Sequence, residues 1–346
     1  MLILILKNRM CSICVVISVY LSSCAQQPGR ELKFNTDGKF KIVQFTDIHL
    51  ENGSSNNDKL IKMISNILII EQPEIVILTG DIITTKHAKR GWQTIVKPFI
   101  ERKIPWAVTL GNHDDEYDLN RTEIISLLKK LPYSLVQSGP KDIGGSGNYV
   151  IEIKDSKGLE NVALLYCLDS NAYTTIEGVG EYGWFKFEQV EWFRQQSSHF
   201  RTTNDDTPIS SVAFFHIPVP EYKEIWESSS STCIGTKNED VCAPAINTGM
   251  FAAMREAEGI MGVFVGHDHD NDYAGCLHSI CLAYGRVTGF DAYGTLPRGA
   301  RVIELLEGKR EFNSWIRTEY GKILNRINFP KSFEKCLEIS REESEH

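Results

Sequence analysis

Six short runs of apolar, largely β-branched residues recur along the chain: 41–45 (KIVQF), 74–78 (EIVIL), 106–110 (WAVTL), 162–168 (VALLYCL), 212–215 (VAFF) and 262–265 (GVFV). Their hydrophobicity is nearly continuous rather than alternating, which is the pattern of strands buried on both faces. Between several of them lie stretches with apolar residues at helical spacing, at 59–70, 92–101, 123–131 and 188–196. Strand and helix alternate, so the expected fold class is α/β or α+β around a mostly buried sheet.

The N-terminus departs from this pattern. Lys7 and Arg9 precede an apolar run at 10–21, which is signal-peptide length and too short to span a bilayer. The run ends in Leu21-Ser22-Ser23-Cys24, small residues before a cysteine that resemble a bacterial lipoprotein cleavage box. The expectation is a signal peptide over 1–23, lipidation at Cys24 and a polar tether over 24–38. Such a protein is exported and lipid-anchored to the bacterial envelope, on its periplasmic or cell-surface face. An ordinary cleaved signal with an incidental cysteine is the plainer alternative. The C-terminal residues 328–346 read as a charged tail.

Composition narrows the classes. Of 346 residues, 42% are hydrophobic and 24% charged, which is ordinary globular usage and excludes a disordered or polytopic membrane chain. The net charge of −8 argues against a nucleic-acid partner, which wants a basic footprint. A small phosphorylated substrate remains compatible, because a bound metal reverses the local sign. Cys233 and Cys242 bracket a polar loop, and Cys276 and Cys281 flank a short turn. Either pair can close a disulfide in an oxidising compartment, with the connectivity left open. Cys167 lies inside an apolar run and reads as an inert buried thiol.

The chemistry gathers where the strands stop. KIVQF is followed by Thr46-Asp47-Ile48-His49, EIVIL by Thr79-Gly80-Asp81, and WAVTL by Gly111-Asn112-His113-Asp114. VAFF runs into His216, and GVFV into Gly266-His267-Asp268-His269. Taken singly, each has a plainer reading: a turn, a helix cap, a satisfied core histidine. Together, five strand ends deliver Asp, Asn and His to the edge where α/β sheets bind ligands. Imidazoles and carboxylates at this spacing suit a pair of metal ions sharing one carboxylate. Glycines beside the polar residues permit tight turns and close approach.

This series resembles the calcineurin-like metallophosphoesterase family, with its five signature blocks spanning residues 40 to 270. The resemblance implies a domain over 39–327 built as a sandwich of two mixed β-sheets flanked by helices. It also implies ligand roles. Asp47, His49 and His269 would hold one metal, Asn112, His216 and His267 the second, and Asp81 would bridge them. The cofactors would be two divalent or trivalent ions, Mn, Fe or Zn. Hydroxide formed at the metals would attack phosphorus, and His113 would assist the leaving alcohol. Asp114 would orient His113 or cap a helix. Arg286 is a weak candidate for substrate phosphate, ahead of Arg298, Lys86 and His87. The stretches Asn247-Thr248-Gly249-Met250-Phe251, Tyr284-Gly285-Arg286 and 299–304 are similar to a purple-acid-phosphatase-like branch. Two departures matter. His49 stands where purple enzymes have Gly, and Thr84 stands where they have a metal-binding Tyr, so no ferric-tyrosinate colour is expected. Thr84 also replaces an Asp of the protein Ser/Thr phosphatases, which counts against that activity. The expected activity is hydrolysis of phosphomonoesters or diesters by a monomer. A metal-binding scaffold without catalysis and an exported nuclease are the alternatives. The aromatic-rich 173–187 would wall a substrate pocket or pack in the core, and His199 and His278 would lie at the surface.

Overall fold

The computed structural model describes residues 31–228 and 232–333. The signal peptide, Cys24 and residues 334–346 of the tail lie outside the described residues. The six apolar runs form strands β1 (Lys39–Phe45), β2 (Ile75–Thr79), β3 (Trp106–Thr109), β5 (Asn161–Cys167), β6 (Ser210–Phe214) and β7 (Ile260–Val265). The helical periodicities form α1 (Asn57–Glu71), α2 (Ala88–Glu101), α3 (Arg121–Leu128) and α4 (Phe187–Thr202). Strands β4 (Tyr149–Lys154), β8 (Ala274–Leu277), β9 (Ile280–Tyr284), β10 (Gly299–Leu306), β11 (Phe312–Thr318) and β12 (Ile323–Phe329) complete the sheets. Two short helices, α5 (Glu221–Glu227) and α6 (Met250–Glu256), precede β7.

The strands form two six-stranded sheets, ordered β12-β11-β10-β1-β2-β3 and β4-β5-β6-β7-β9-β8. Both are mixed. In the first, β1, β2 and β3 pair in parallel while β10, β11 and β12 run antiparallel. In the second, β5, β6, β7 and β9 pair in parallel, with antiparallel β4 and β8 at the edges. One apolar core joins Ile77, Val108 and Ile303 of the first sheet to Leu165, Val212 and Phe214 of the second. Phe264 on β7 meets Phe312 on β11 edge to face, with ring centroids 5.7 Å apart. The Gln44 amide on β1 donates to the Val265 carbonyl on β7 at 3.0 Å, tying the sheets near the C-terminal ends of these strands. Helices cover the outer faces. Phe99 of α2 stacks on Phe45, Phe193 of α4 packs on Tyr166, and Tyr222 of α5 packs on Tyr284.

Three expectations need correction. The expected tether over 24–38 joins the fold in its described part: Leu32 and Phe34 are buried, and the Phe34 amide donates to the Lys154 carbonyl at 2.9 Å. Ordered structure also runs past 327, because β12 ends at Phe329 and Phe333 is buried. Cys233 and Cys242 stand as separate thiols, donating to the carbonyls of Ile225 and Asp240. Cys276 and Cys281 face each other across the β8–β9 hairpin, whose turn residues His278 and Ser279 both have positive φ. Cys167 is buried, and burial pushes its thiol up to about 12. Among the described residues no helix is long and apolar enough to cross a membrane.

Candidate metal centre

Parallel pairing sets where the chemistry lies. The adjacent strands β1, β2 and β3 all point the same way, as do β6 and β7 in the facing sheet, so five loops leave at one end. The loops are locally strained. Asp47 (φ 50°), His49 (φ 45°), Asp81 (φ 53°) and His267 (φ 81°) occupy left-handed backbone conformations. For a non-glycine residue this costs about 1 kcal/mol or more, and such outliers cluster where function holds them. Glycine makes the crowding possible. A Cβ on Gly80 would stand 2.4 Å from His216 Nδ1, and one on Gly111 would stand 2.1 Å from Asp81 Oδ1.

Two triads result: Asp47, His49 and His269, and Asp81, His216 and His267, each with its ligand atoms within 4.8 Å of one another. The Asp81 carboxylate lies between them. Its Oδ2 is 3.1 Å from His216 Nε2 and 3.7 Å from His49 Nε2. His269 Nε2 lies 3.4 Å from Asp47 Oδ1. Four atoms here are buried without a hydrogen-bond partner: Nε2 of His49, His216 and His267, and Oδ1 of Asn112. Buried acceptors are costly to leave unmet, and here they gather around two carboxylates. The outer atoms of His216, His269 and Asn112 are held in place. His216 Nδ1 contacts the Thr79 carbonyl at 2.7 Å, His269 Nδ1 contacts the Tyr293 carbonyl at 3.2 Å, and the Asn112 amide donates to Tyr173 Oη at 2.9 Å. This arrangement turns Nε2 and Oδ1 inward, as metal ligation requires. The donor set therefore fits two ions.

The electrostatics divide the ligand set: both aspartates, His49 and His267 are held in forms that can ligate, whereas His216 and His269, each opposed by burial but facing a carboxylate, are pushed up. Burial opposes ionisation of Asp81, but His216 and His49 outweigh it and hold the carboxyl well below the usual range. Asp47 is held down likewise, with burial overcome by His269. Burial depresses His49 to about 4 and His267 to about 3, keeping both imidazoles neutral and able to offer a lone pair. His216, opposed by burial but facing Asp81, is pushed up to about 9.

His113 sits at the mouth, 37% exposed in its side chain. Its backbone amide donates to Asp81 Oδ1 at 2.8 Å, and its ring lies 5.6 Å from that of His49. Asp114 does not touch the His113 ring. It is buried and accepts from the amides of Gly111 (2.8 Å), Asp81 (3.0 Å), Ile82 (2.8 Å) and Ile83 (3.2 Å). It thus ties the loop after β3 to the loop after β2. The group facing His113 is Glu116, at 2.8 Å from Nδ1. Behind the site, Arg121 grips Asp169 and the carbonyls of Gly111 and Leu110. Asp169 follows β5 directly, so the strand-end rule that found Asp47 and Asp81 also reaches it.

Arg286 corrects the substrate-contact expectation. It is buried, paired with Asp272 and bonded to the Pro297 carbonyl at 3.0 Å, which leaves it a structural role beneath the sheet edge. Arg298 is likewise committed to the carbonyls of Ala292 and Leu296. Lys86 and His87 are exposed, as are His199 and His278. The aromatic stretch divides between its two readings. Tyr182 meets the His267 ring edge-on at 4.6 Å and Tyr173 stands over Asn112, whereas Phe185 packs on Phe215 in the core. Asp268 is buried and accepts from Tyr284 Oη at 2.6 Å, and burial pushes it up to about 7.

A sandwich of two mixed sheets with paired Asp/His ligand groups at its edge defines a metallophosphoesterase scaffold. The family model for calcineurin-like phosphoesterases matches residues 40–271, and the chain belongs to that family. It is 31% identical over 335 residues to the "Probable inactive purple acid phosphatase 14" of Arabidopsis thaliana, covering 86% of this chain and 83% of that protein. It is 33% identical over 328 residues to "Phosphatase DCR2" of Saccharomyces cerevisiae, covering 84% of this chain and 55% of that one. Among solved structures, a dimetal phosphatase from Danio rerio shares the fold with a TM-score of 0.57 at 13% identity, covering 84% of this chain and 98% of that one.

Proposed function

We propose that the protein hydrolyses phosphate esters at a dinuclear metal centre. One observation carries the reading: two Asp/His triads lie side by side at the strand ends, and Nε2 of His49, His216 and His267 and Oδ1 of Asn112 are buried there without a hydrogen bond. Asp47, His49 and His269 would hold one ion, Asn112, His216 and His267 the other, with Asp81 shared. Ions of the Mn, Fe or Zn type supply Lewis-acid activation of water and neutralise charge on the phosphoryl oxygens. The chain's own residues do the rest. Left-handed backbone at Asp47, His49, Asp81 and His267 fixes the donors before substrate arrives. His113 gives its Nε2 proton to the departing alkoxide. Tyr173 and Tyr182 flank the opening and bind the organic part of a small phosphorylated substrate.

The Arabidopsis relative carries the name "Probable inactive purple acid phosphatase 14", so turnover is the decisive property. Residues 25–346, stripped and reloaded with Mn, Fe or Zn, are assayed on p-nitrophenyl phosphate and bis-p-nitrophenyl phosphate. Metal-dependent release of p-nitrophenol is expected, and the ratio of rates assigns monoester or diester preference. Two bound ions per chain with no turnover on either ester would support the scaffold reading instead.

We also propose export and lipid anchoring through Cys24, on the Lys7/Arg9 leader and the Leu21–Cys24 box alone. Labelled fatty acid is expected in the wild-type chain and absent from Cys24→Ala. Equal label in both would remove the anchor.

A further inference from the structure

The proposed proton donor and one proposed metal ligand are joined by two side chains that belong to neither role. His113 Nδ1 lies 2.8 Å from Glu116 Oε1, three residues along the same loop. Tyr173, arriving from the separate loop that follows β5, places its hydroxyl 3.3 Å from the same Glu116 oxygen and 3.5 Å from His113 Nδ1. That hydroxyl also accepts from the Asn112 amide at 2.9 Å. Its proton is thus directed at Glu116 and its lone pair at Asn112, so a single oxygen ties the two functional groups together.

We infer that Glu116 and Tyr173 are positioning residues acting through His113 and Asn112 respectively. The inference rests on the hydrolase reading above. With Nδ1 committed to a carboxylate, the His113 ring is held in one orientation and Nε2 is the nitrogen left for the leaving oxygen. When Nε2 gives up its proton, the Nδ1–H to Glu116 contact is retained, so no other proton has to move. Asn112 presents two chemically opposite ends, and which one faces the metals is a matter of orientation. Tyr173 Oη accepts from the NH2 end, and this turns Oδ1 inward, where it is buried without a protein partner. The sequence hides both roles. Glu116 lies in an acidic run after the His113 block, and Tyr173 lies about 60 residues away in a loop.

The two roles separate experimentally. Glu116→Gln keeps size and shape but removes the charge facing Nδ1. Its kcat on an alkyl phosphate, which needs a proton on departure, is expected to fall roughly 100-fold, in the range of lost general-acid assistance. On p-nitrophenyl phosphate, whose alcohol leaves unaided, the fall is expected to stay below about threefold. Bound metal per chain should not change. Tyr173→Phe keeps the ring and removes the hydroxyl. It is expected to weaken binding of one of the two ions roughly 10–100-fold, as loss of an outer partner does, measured by titrating metal-free protein with Mn. Equal losses on both esters in Glu116→Gln, or unchanged affinity for both ions in Tyr173→Phe, would overturn the respective assignment. If the wild-type protein itself hydrolysed neither ester, the hydrolase reading would fail first, while the Tyr173→Phe titration would still test the metal-facing half.

Discussion

Asp81→Asn is expected to lower phosphate-ester turnover about 10³-fold or more, equivalent to roughly 4 kcal/mol of barrier. The reason is position. The Asp81 carboxylate stands between the two ligand groups, 3.1 Å from His216 and 3.7 Å from His49. Asn keeps an oxygen that can accept from the His113 amide, so the loop is preserved. It supplies neither a second anionic oxygen nor the charge that a shared ion pair needs. Folding should therefore survive while metal content and rate fall together. Asp81→Asn protein with wild-type rate and two bound ions would remove Asp81 from the bridge.

Gly80→Ala is expected to destabilise the protein by about 3 kcal/mol or more, because strain and overpacking act at one atom. The residue has φ +86°, and its added Cβ would stand 2.4 Å from His216 Nδ1 and 2.6 Å from the Gly111 amide. His216 cannot step aside freely, since its ring is fully buried and held by the Thr79 carbonyl at 2.7 Å. Relief requires moving the loop after β2 or that after β3, and both carry proposed ligands. Denaturant unfolding of metal-free Gly80→Ala protein measures the loss without confusing it with metal binding. A midpoint equal to wild type would show that the loops yield without cost.

Strands buried on both faces announce themselves by continuous hydrophobicity, which is why β1, β2, β3, β5, β6 and β7 were readable from the sequence. The edge strands β4 and β12 do not. β4 alternates buried and open positions, and β12 (ILNRINF) mixes polar residues through its length, as sheet edges facing solvent do. β10 escapes notice for another reason: Arg301 and Glu304 interrupt it although both are buried. At the site, the residues on strand ends were readable because each follows an apolar run directly. The residues that act through other residues were not. Glu116 shares its loop with His113, but Tyr173 reaches Glu116 and Asn112, and Asp169 reaches Arg121, only when loops from both sheets meet. Arg286 shows the converse: a basic residue in a family-like motif looks available in sequence, but Asp272 is brought opposite it by folding.

The most direct test of the central claim is a metal titration of the stripped protein followed by assay at each ratio of ion to chain. The account expects tight uptake of two Mn, Fe or Zn ions per chain, with ester hydrolysis appearing as the second site fills. Hydrolysis at full rate in stripped protein, or saturation below one ion per chain, would contradict it.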